Sequence, residues 1–276
     1  MLRQRVATAS VLLIVAVGAL VWSSTAFAVA VTALLGFALA EWLQLTGAAR
    51  SVSIVVALIV SALLLAVLLA LTSAIEAFVL PLGAIAVAIW IAIVVLLVQP
   101  NAMTLRLPRI VGMSLAVVLM LAAWFALMRF LSQGVIVLFS VLLIVWIADT
   151  AAYFAGRAFG RRKLAPHISP GKTWAGVAGA VLAVLLLALV IWLLVPDRRI
   201  YSNNLFESVG PVFALFLLAL LVALSIVGDL FESLLKRQAG VKDSGQLLPG
   251  HGGVLDRVDA MLPLLPSAVV IQWLFR

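Results

Sequence analysis

The sequence contains no cysteine and only two histidines, His167 and His251. A disulfide framework, a thiolate metal site and a cysteine nucleophile are thereby excluded, and so is a histidine-rich zinc site. Any metal must be held mainly by carboxylates, which favours a hard cation such as Mg2+. Charge is also scarce. Asp, Glu, Lys and Arg make up 10% of the 276 residues, against roughly 25% in ordinary soluble domains. What fills the chain instead is apolar: 66% of it is hydrophobic. Apolar runs of about eighteen residues or more recur from end to end, each long enough to cross a bilayer as a helix. A water-soluble fold cannot hide that much apolar surface.

Nine apolar segments can be read, at roughly 6–22, 26–44, 52–71, 77–98, 110–130, 134–155, 173–195, 210–228 and 257–275. The last is short and holds Pro263 and Pro266, so a kink or tilt is expected there. No soluble domain and no clear internal repeat interrupts the series. The expected fold is all-α: a polytopic helical bundle of about nine transmembrane helices, forming one membrane domain over residues 1–276. The net charge of +8 supplies the topology. With the N-terminus inside, only Arg129, Arg198, Arg199 and Arg276 of the 18 basic residues fall outside. That asymmetry supports an N-in, C-out arrangement with nine spans. Arg3 and Arg5, an apolar run and Ala26-Phe27-Ala28 also resemble a signal peptide with its cleavage site. The apolar character resumes at once after residue 25, which suits a tight helical hairpin better. Trp22, Trp42, Trp146, Trp192 and Trp273 lie near predicted helix ends and read as an interfacial aromatic belt.

Polar residues cluster in two stretches on the inner side. The first runs from Trp146-Ile-Ala-Asp149 through Tyr153, Gly156-Arg157 and Arg161-Arg162-Lys163 to Ser169-Pro-Gly-Lys172-Thr173-Trp174. An ionisable side chain such as Asp149 near the end of an apolar helix is a functional candidate or the partner of a nearby Arg. The basic run 161–163 reads as a positive-inside anchor. Lys172 and Thr173 open a helix, where ammonium, hydroxyl and helix N-terminus can meet an anion. The second stretch is denser. Asp229, Glu232, Ser233 and Lys236 fall at i, i+3, i+4 and i+7 on one helical face. Lys242-Asp243 and a loop with Gly250, His251, Gly252 and Gly253 follow, and then Asp256-Arg257-Val-Asp259. Asp256 and Asp259, at i and i+3, are expected to share a face. The glycines permit close backbone approach to a ligand. His251 is either a contact to phosphate or base, or a residue that tolerates the turn. Carboxylates for Mg2+, basic groups for a triphosphate and a glycine-rich backbone are the parts of metal-assisted nucleotidyl or phosphoryl transfer.

The run Ser233-Leu-Leu-Lys236-Arg237, then Lys242-Asp243, then Pro249-Gly-His251-Gly252-Gly253-Val-Leu-Asp256-Arg257-Val-Asp259 resembles the signature of phosphatidate cytidylyltransferases, also called CDP-diacylglycerol synthases. Ala148-Asp149-Thr-Ala-Ala-Tyr153 and Ser169-Pro170-x-Lys172-Thr173-Trp174 are similar to that family too. Two positions depart: Gly171 and Ala175 stand where the family often has Lys and an acid. The resemblance implies that phosphatidic acid and CTP give CDP-diacylglycerol and pyrophosphate with Mg2+, at the cytoplasmic face of a bacterial inner membrane. It implies a catalytic role for Asp229, Asp256 and Lys236. Metal falls to Asp229, Asp256 and Asp259, with Asp149 a further candidate. Substrate binding falls to Ser169, Lys172, Thr173, Lys236, Arg237, Lys242, Asp243, His251, Gly252, Gly253 and Arg257. A second, monovalent cation and a homodimer are left open. No nucleic acid is expected as a partner. Two rivals remain: a CTP-dependent polyprenol or dolichol kinase, which would use the same parts, and a transporter of an anionic solute. The transporter fits less well, because the charges gather at one surface rather than at mid-membrane.

Overall fold

A computed structural model of the chain describes residues 11, 14–99, 102–248, 250 and 252–275. Residues 14–22 are helical, and Ser23 separates them from the next helix by capping it, its Oγ accepting from the Ala26 amide at 2.9 Å. The helices that follow are α1 (Ser24–Leu45), α2 (Arg50–Ala70), α3 (Thr72–Leu97), α4 (Arg109–Gln133) and α5 (Val135–Phe159). A hairpin of β1 (Lys163–Ala165) and β2 (Ser169–Thr173) intervenes. The chain continues as α6 (Trp174–Leu194), α7 (Tyr201–Val209), α8 (Pro211–Gln238), α9 (Leu255–Val258) and α10 (Met261–Leu274). Seven of these helices, α1 to α6 and α8, are long and apolar enough to cross a membrane. In hydrocarbon every backbone amide and carbonyl needs an internal partner, and a helix supplies it within one segment.

Burial sorts the helices. Over half of the apolar window of α4 is buried, and α1 packs along it. The same window in α2 and α6 is only 17% buried, so these two turn nearly all of their apolar surface outward, as lipid-facing helices do. Several polar side chains inside the bundle pair with one another. Trp124 Nε1 donates to Thr32 Oγ1 at 2.8 Å, and Thr32 Oγ1 donates on to the Ala28 carbonyl at 2.7 Å. Gln133 on α4 and Gln272 on α10 exchange two amide hydrogen bonds. Each such pair fixes helix register without leaving an unsatisfied dipole in an apolar medium.

As the spacing of Asp229, Glu232, Ser233 and Lys236 implies, α8 runs past the apolar segment to Gln238, so the acidic and basic residues 229–237 ride on one helix. The structure amends the sequence reading in three places. The last segment is two helices, α9 and α10, divided at Asp259-Ala260. Pro263 lacks the amide that would have bonded the Asp259 carbonyl, which accounts for the break. The hairpin 163–173 and the short α7 were not foreseen; their patterns are too short and too polar to register as spans. Trp42 does stand near a helix end, but it is buried and packs edge-on against Phe231 of α8 with ring centroids 5.9 Å apart. It belongs to the core beneath the polar cluster. Trp22, Trp146 and Trp273 are exposed, as members of an aromatic belt would be. Phe27 and Ala28, in the run that resembles a cleavage site, are buried in α1.

Candidate active site

Four elements meet at one end of the bundle: the C-terminal parts of α5 and α8, the start of α6 and the β1–β2 hairpin. They enclose a cavity of about 610 Å³ lined by Asp149, Tyr153, Arg157, Lys163, Ser169, Lys172, Thr173 and Asp229, among others. Asp149, Tyr153 and Arg157 reach it from one face of α5, at i, i+4 and i+8. β2 pairs antiparallel with β1, Thr173 opposite Lys163, and delivers Lys172. Lys172 is therefore in a strand rather than a helix. Thr173 is the N-cap of α6, its Oγ1 accepting from the Gly176 amide at 3.1 Å. Lys172 Nζ lies 2.7 Å from Asp229 Oδ2, an ion pair that ties the hairpin to α8. Gly171, where the resemblance led one to expect a basic residue, also lines this cavity.

Three carboxylates converge behind that pair. Asp229, Glu232 and Asp259 each present an oxygen within 4.8 Å of the others. Asp229 and Glu232 are one helical turn apart on α8. Asp259 reaches them because Gly228 has no side chain: a Cβ there would meet the Asp259 carbonyl and, at 2.8 Å, Pro263 Cδ. Ser233 Oγ steadies Asp229 by donating to Oδ1 at 3.3 Å, and the Ala260 amide donates to Asp259 Oδ1 at 2.8 Å. The charges of Asp229, Lys172 and Arg257 act on Asp149, and those of Asp229, Lys172 and Asp149 act on Asp259, so the groups form one electrostatic unit. Carboxylate oxygens gathered this closely suit a hard divalent cation, which relieves their mutual repulsion and prefers oxygen donors.

Asp256 goes elsewhere. It faces Lys236 and the glycine loop and is not among the three carboxylates that converge. Its Oδ1 lies 2.6 Å from Lys236 Nζ, and its Oδ2 accepts from the amides of Ser244 at 3.1 Å and Gly253 at 2.8 Å. Lys236 also lies 2.5 Å from Glu232 Oε2, so it sits between two carboxylates. The Lys236 ammonium and the two amides favour the ionised carboxylate. Gly252, at φ +82°, and Gly253 are close to protein atoms: a Cβ on Gly252 would meet Asp256 Oδ2 at 2.8 Å, and one on Gly253 would strike Ser244 Oγ and Glu41 Oε2. Arg237 is exposed and donates from Nε to the Ile168 carbonyl at 3.4 Å. Lys242, Asp243 and Arg257 are exposed on the loop and on α9. His251 lies outside the described residues.

Two contributions escaped the sequence reading. Glu41 of α1 is buried, and its Oε2 accepts from Ser244 Oγ at 2.9 Å and from the Leu255 amide at 2.8 Å. It anchors both ends of the glycine loop. A lone carboxylate near the end of an apolar helix was the available signal, the same one that singled out Asp149. Arg157 and Lys163 line the cavity, although Lys163 reads in sequence as part of a topological anchor.

These contacts predict that the loop depends on its anchors. Glu41→Leu leaves the Leu255 amide without its acceptor and is expected to cost about 1–3 kcal/mol. Asp256→Asn removes one of the two counter-charges of Lys236 and is expected to cost about 1.5–3 kcal/mol. Thermal unfolding in detergent measures both, and changes within about 0.5 kcal/mol contradict the anchoring roles.

Similarity to known proteins runs along the chain. The profile of the Cytidylyltransferase family matches residues 3–275. A Pseudomonas aeruginosa protein named phosphatidate cytidylyltransferase is 38% identical over 279 aligned positions, covering 99% of this chain and 97% of its own. Proteins of that name from Haemophilus influenzae and Bacillus subtilis are 47% and 40% identical over 135 and 147 positions. Those two matches cover 49% and 51% of this chain, and only 44% and 49% of the relatives' own lengths. A match across nearly the whole chain, to the profile and to the Pseudomonas protein alike, places it: the chain belongs to the cytidylyltransferase family.

Proposed function

We propose that the chain transfers the cytidylyl group of CTP to phosphatidic acid, giving CDP-diacylglycerol and pyrophosphate. The observation that carries this reading is the cavity where Asp149, Lys172 and Asp229 converge, backed by the carboxylates of Glu232 and Asp259. Its volume is in the range of small-molecule sites. The relatives' name supplies the substrate pair.

The chemistry asks little of protein nucleophiles. A phosphomonoester has a second pKa near 6, so the lipid phosphate is largely dianionic at neutral pH. One of its oxygens forms the new bond to the α-phosphorus of CTP. The bond from that phosphorus to the oxygen bridging the β-phosphate breaks, and pyrophosphate leaves with the electron pair. The difficulty is to bring two polyanions together. Lys172, Lys163 and Arg157 put positive charge on the cavity wall, and Arg237, Lys242 and Arg257 add more from α8, the loop and α9. Bound by Asp229 and Asp259, with Glu232 behind them and Asp149 facing them, Mg2+ would neutralise the triphosphate and the departing pyrophosphate. Lys236 and Asp256, paired with each other, hold the loop that carries Asp259. Fixed geometry supplies much of the remaining acceleration.

The same reading puts the site on the cytoplasmic side of a bacterial inner membrane. Nine spans result when the helix before α1 and the paired α9–α10 segment are added to the seven long helices, with the N-terminus inside. The hairpin and the glycine loop join helix ends on the same side of the bundle, which supports a single polar face.

Two experiments follow. Purified protein with phosphatidic acid, CTP and Mg2+ is expected to release pyrophosphate in step with CDP-lipid. Asp229→Asn and Asp259→Asn are each expected to lower kcat/KM by more than the roughly 100-fold that loss of an outer-shell partner costs at a metal site. Activity within tenfold of the parent in both variants refutes the metal assignment. For topology, the cysteine-free chain allows single-cysteine labelling. Pro196→Cys should react with an impermeant maleimide in intact cells and His167→Cys only after permeabilisation; the reverse pattern contradicts the N-in arrangement.

A further inference from the structure

Two lysines reach the carboxylates of the site, and they are held very differently. Lys236 lies between Glu232 and Asp256, at 2.5 Å and 2.6 Å, its side chain 14% exposed and theirs 4% and 8%. Lys172 meets a single carboxylate oxygen, Asp229 Oδ2, at 2.7 Å, and the two side chains are 22% and 37% exposed. A long hydrogen bond of 3.4 Å from its Nζ to the Ile226 carbonyl completes its contacts with α8. Its charge reaches further than these contacts and acts on Asp149 and Asp259 as well.

Two of the carboxylates that share the Lys172 charge, Asp229 and Asp259, are the ones assigned above to Mg2+. With Glu232 they place oxygens within 4.8 Å of one another. Ammonium and metal ion therefore compete for Asp229. A divalent cation carries twice the charge and approaches a carboxylate oxygen to about 2.1 Å. A partly exposed ion pair is worth roughly fivefold at most, so little opposes the exchange. At Lys236 the same exchange would strand two buried carboxylates, and it is disfavoured.

A displaced Lys172 ammonium cannot go far. Its backbone is held by the β1–β2 pairing and by Thr173, the N-cap of α6, so only the side-chain stem can swing. That stem lines the polar cavity together with Arg157 and Lys163. Gly171, beside it on β2, has open space around it and carries no charge, so Lys172 is the one ammonium that β2 can offer to an anion there.

We propose that Lys172 is an exchangeable counter-ion: a divalent cation arriving at Asp229 and Asp259 displaces its ammonium, which then turns to a phosphate of the substrate. The inference rests on the transferase reading and adds an order to it, cation before nucleotide. Without the cation, Lys172 is occupied by Asp229. Once the cation is bound, the same lysine is released to the cavity.

Two readouts other than turnover test this. The chain has four lysines, Lys163, Lys172, Lys236 and Lys242, and their acylation by an amine reagent can be followed peptide by peptide in the wild-type protein. Mn2+ is expected to raise the rate at Lys172 severalfold and to leave Lys236 protected, and CTP added after Mn2+ is expected to protect Lys172 again. An unchanged rate at Lys172 with Mn2+ bound overturns the exchange, and failure of CTP to protect it overturns the turn to phosphate. In the second readout, Mn2+ binding is measured by electron paramagnetic resonance without nucleotide. Lys172→Met is expected to bind Mn2+ roughly fivefold more tightly than the wild type, the worth of the pair it no longer has to break. Equal or weaker binding by the folded variant overturns the proposal. Mn2+ that binds neither protein overturns it together with the metal assignment. Exchange at Lys172 without any CDP-lipid product would contradict the transferase reading and leave the exchange standing.

Discussion

A lysine held between two carboxylates organises the polar end of this protein. Lys236 projects from α8 to Glu232 on its own helix and to Asp256 at the start of α9. In a low-dielectric setting such a group is costly to isolate, so the pairing fixes where α9 must sit. The Asp256 carboxylate then collects the amides of Ser244 and Gly253, and Glu41 collects the Ser244 hydroxyl and the Leu255 amide. With the glycine loop closed in this way, the backbone at Asp259 packs against Gly228 and its carboxylate lies near Asp229. The carboxylate cluster therefore depends on a structural one built from neighbouring residues.

The division of labour explains why acidic residues three apart behave so differently. Asp256 and Asp259 read as one face of one helix, yet one locks the loop and the other joins the cluster of Asp229 and Glu232. Three residues apart, their side chains meet different partners: Lys236 and the loop amides for Asp256, Asp229 and Glu232 for Asp259. Asp229 and Lys236 divide in the same manner on α8, the first pairing with Lys172 across the cavity and the second with Asp256. Continuity of α8 through Gln238 sets the spacing between the two functions.

Much of this was legible in the sequence. The apolar segments located the long helices closely, because hydrocarbon leaves the backbone few alternatives. The clusters around Asp149, Lys172 and 229–259 were visible because charge is so rare in this chain. What stayed hidden depended on contacts between distant residues. Glu41 and Ser244 are 203 positions apart, and no local pattern connects them. The loop glycines read as room for a ligand, whereas Gly252 and Gly253 accommodate Asp256, Ser244 and Glu41. Trp42 read as an interfacial residue by its place at a helix end, and only packing against Phe231 shows that it faces inward.

A polar cavity lined by Asp149, Lys172 and Asp229 at one end of an apolar bundle suits a reaction that joins a nucleotide to a lipid. A CTP-dependent lipid kinase would use a similar set of charges, so the fate of the nucleotide phosphates separates the two chemistries. The decisive measurement follows label from CTP carrying a tracer at the α or the γ phosphate, with phosphatidic acid and Mg2+ present. The account predicts that α label enters the lipid while γ label leaves as pyrophosphate. Entry of γ label into a lipid, with α label retained in CDP, would contradict it.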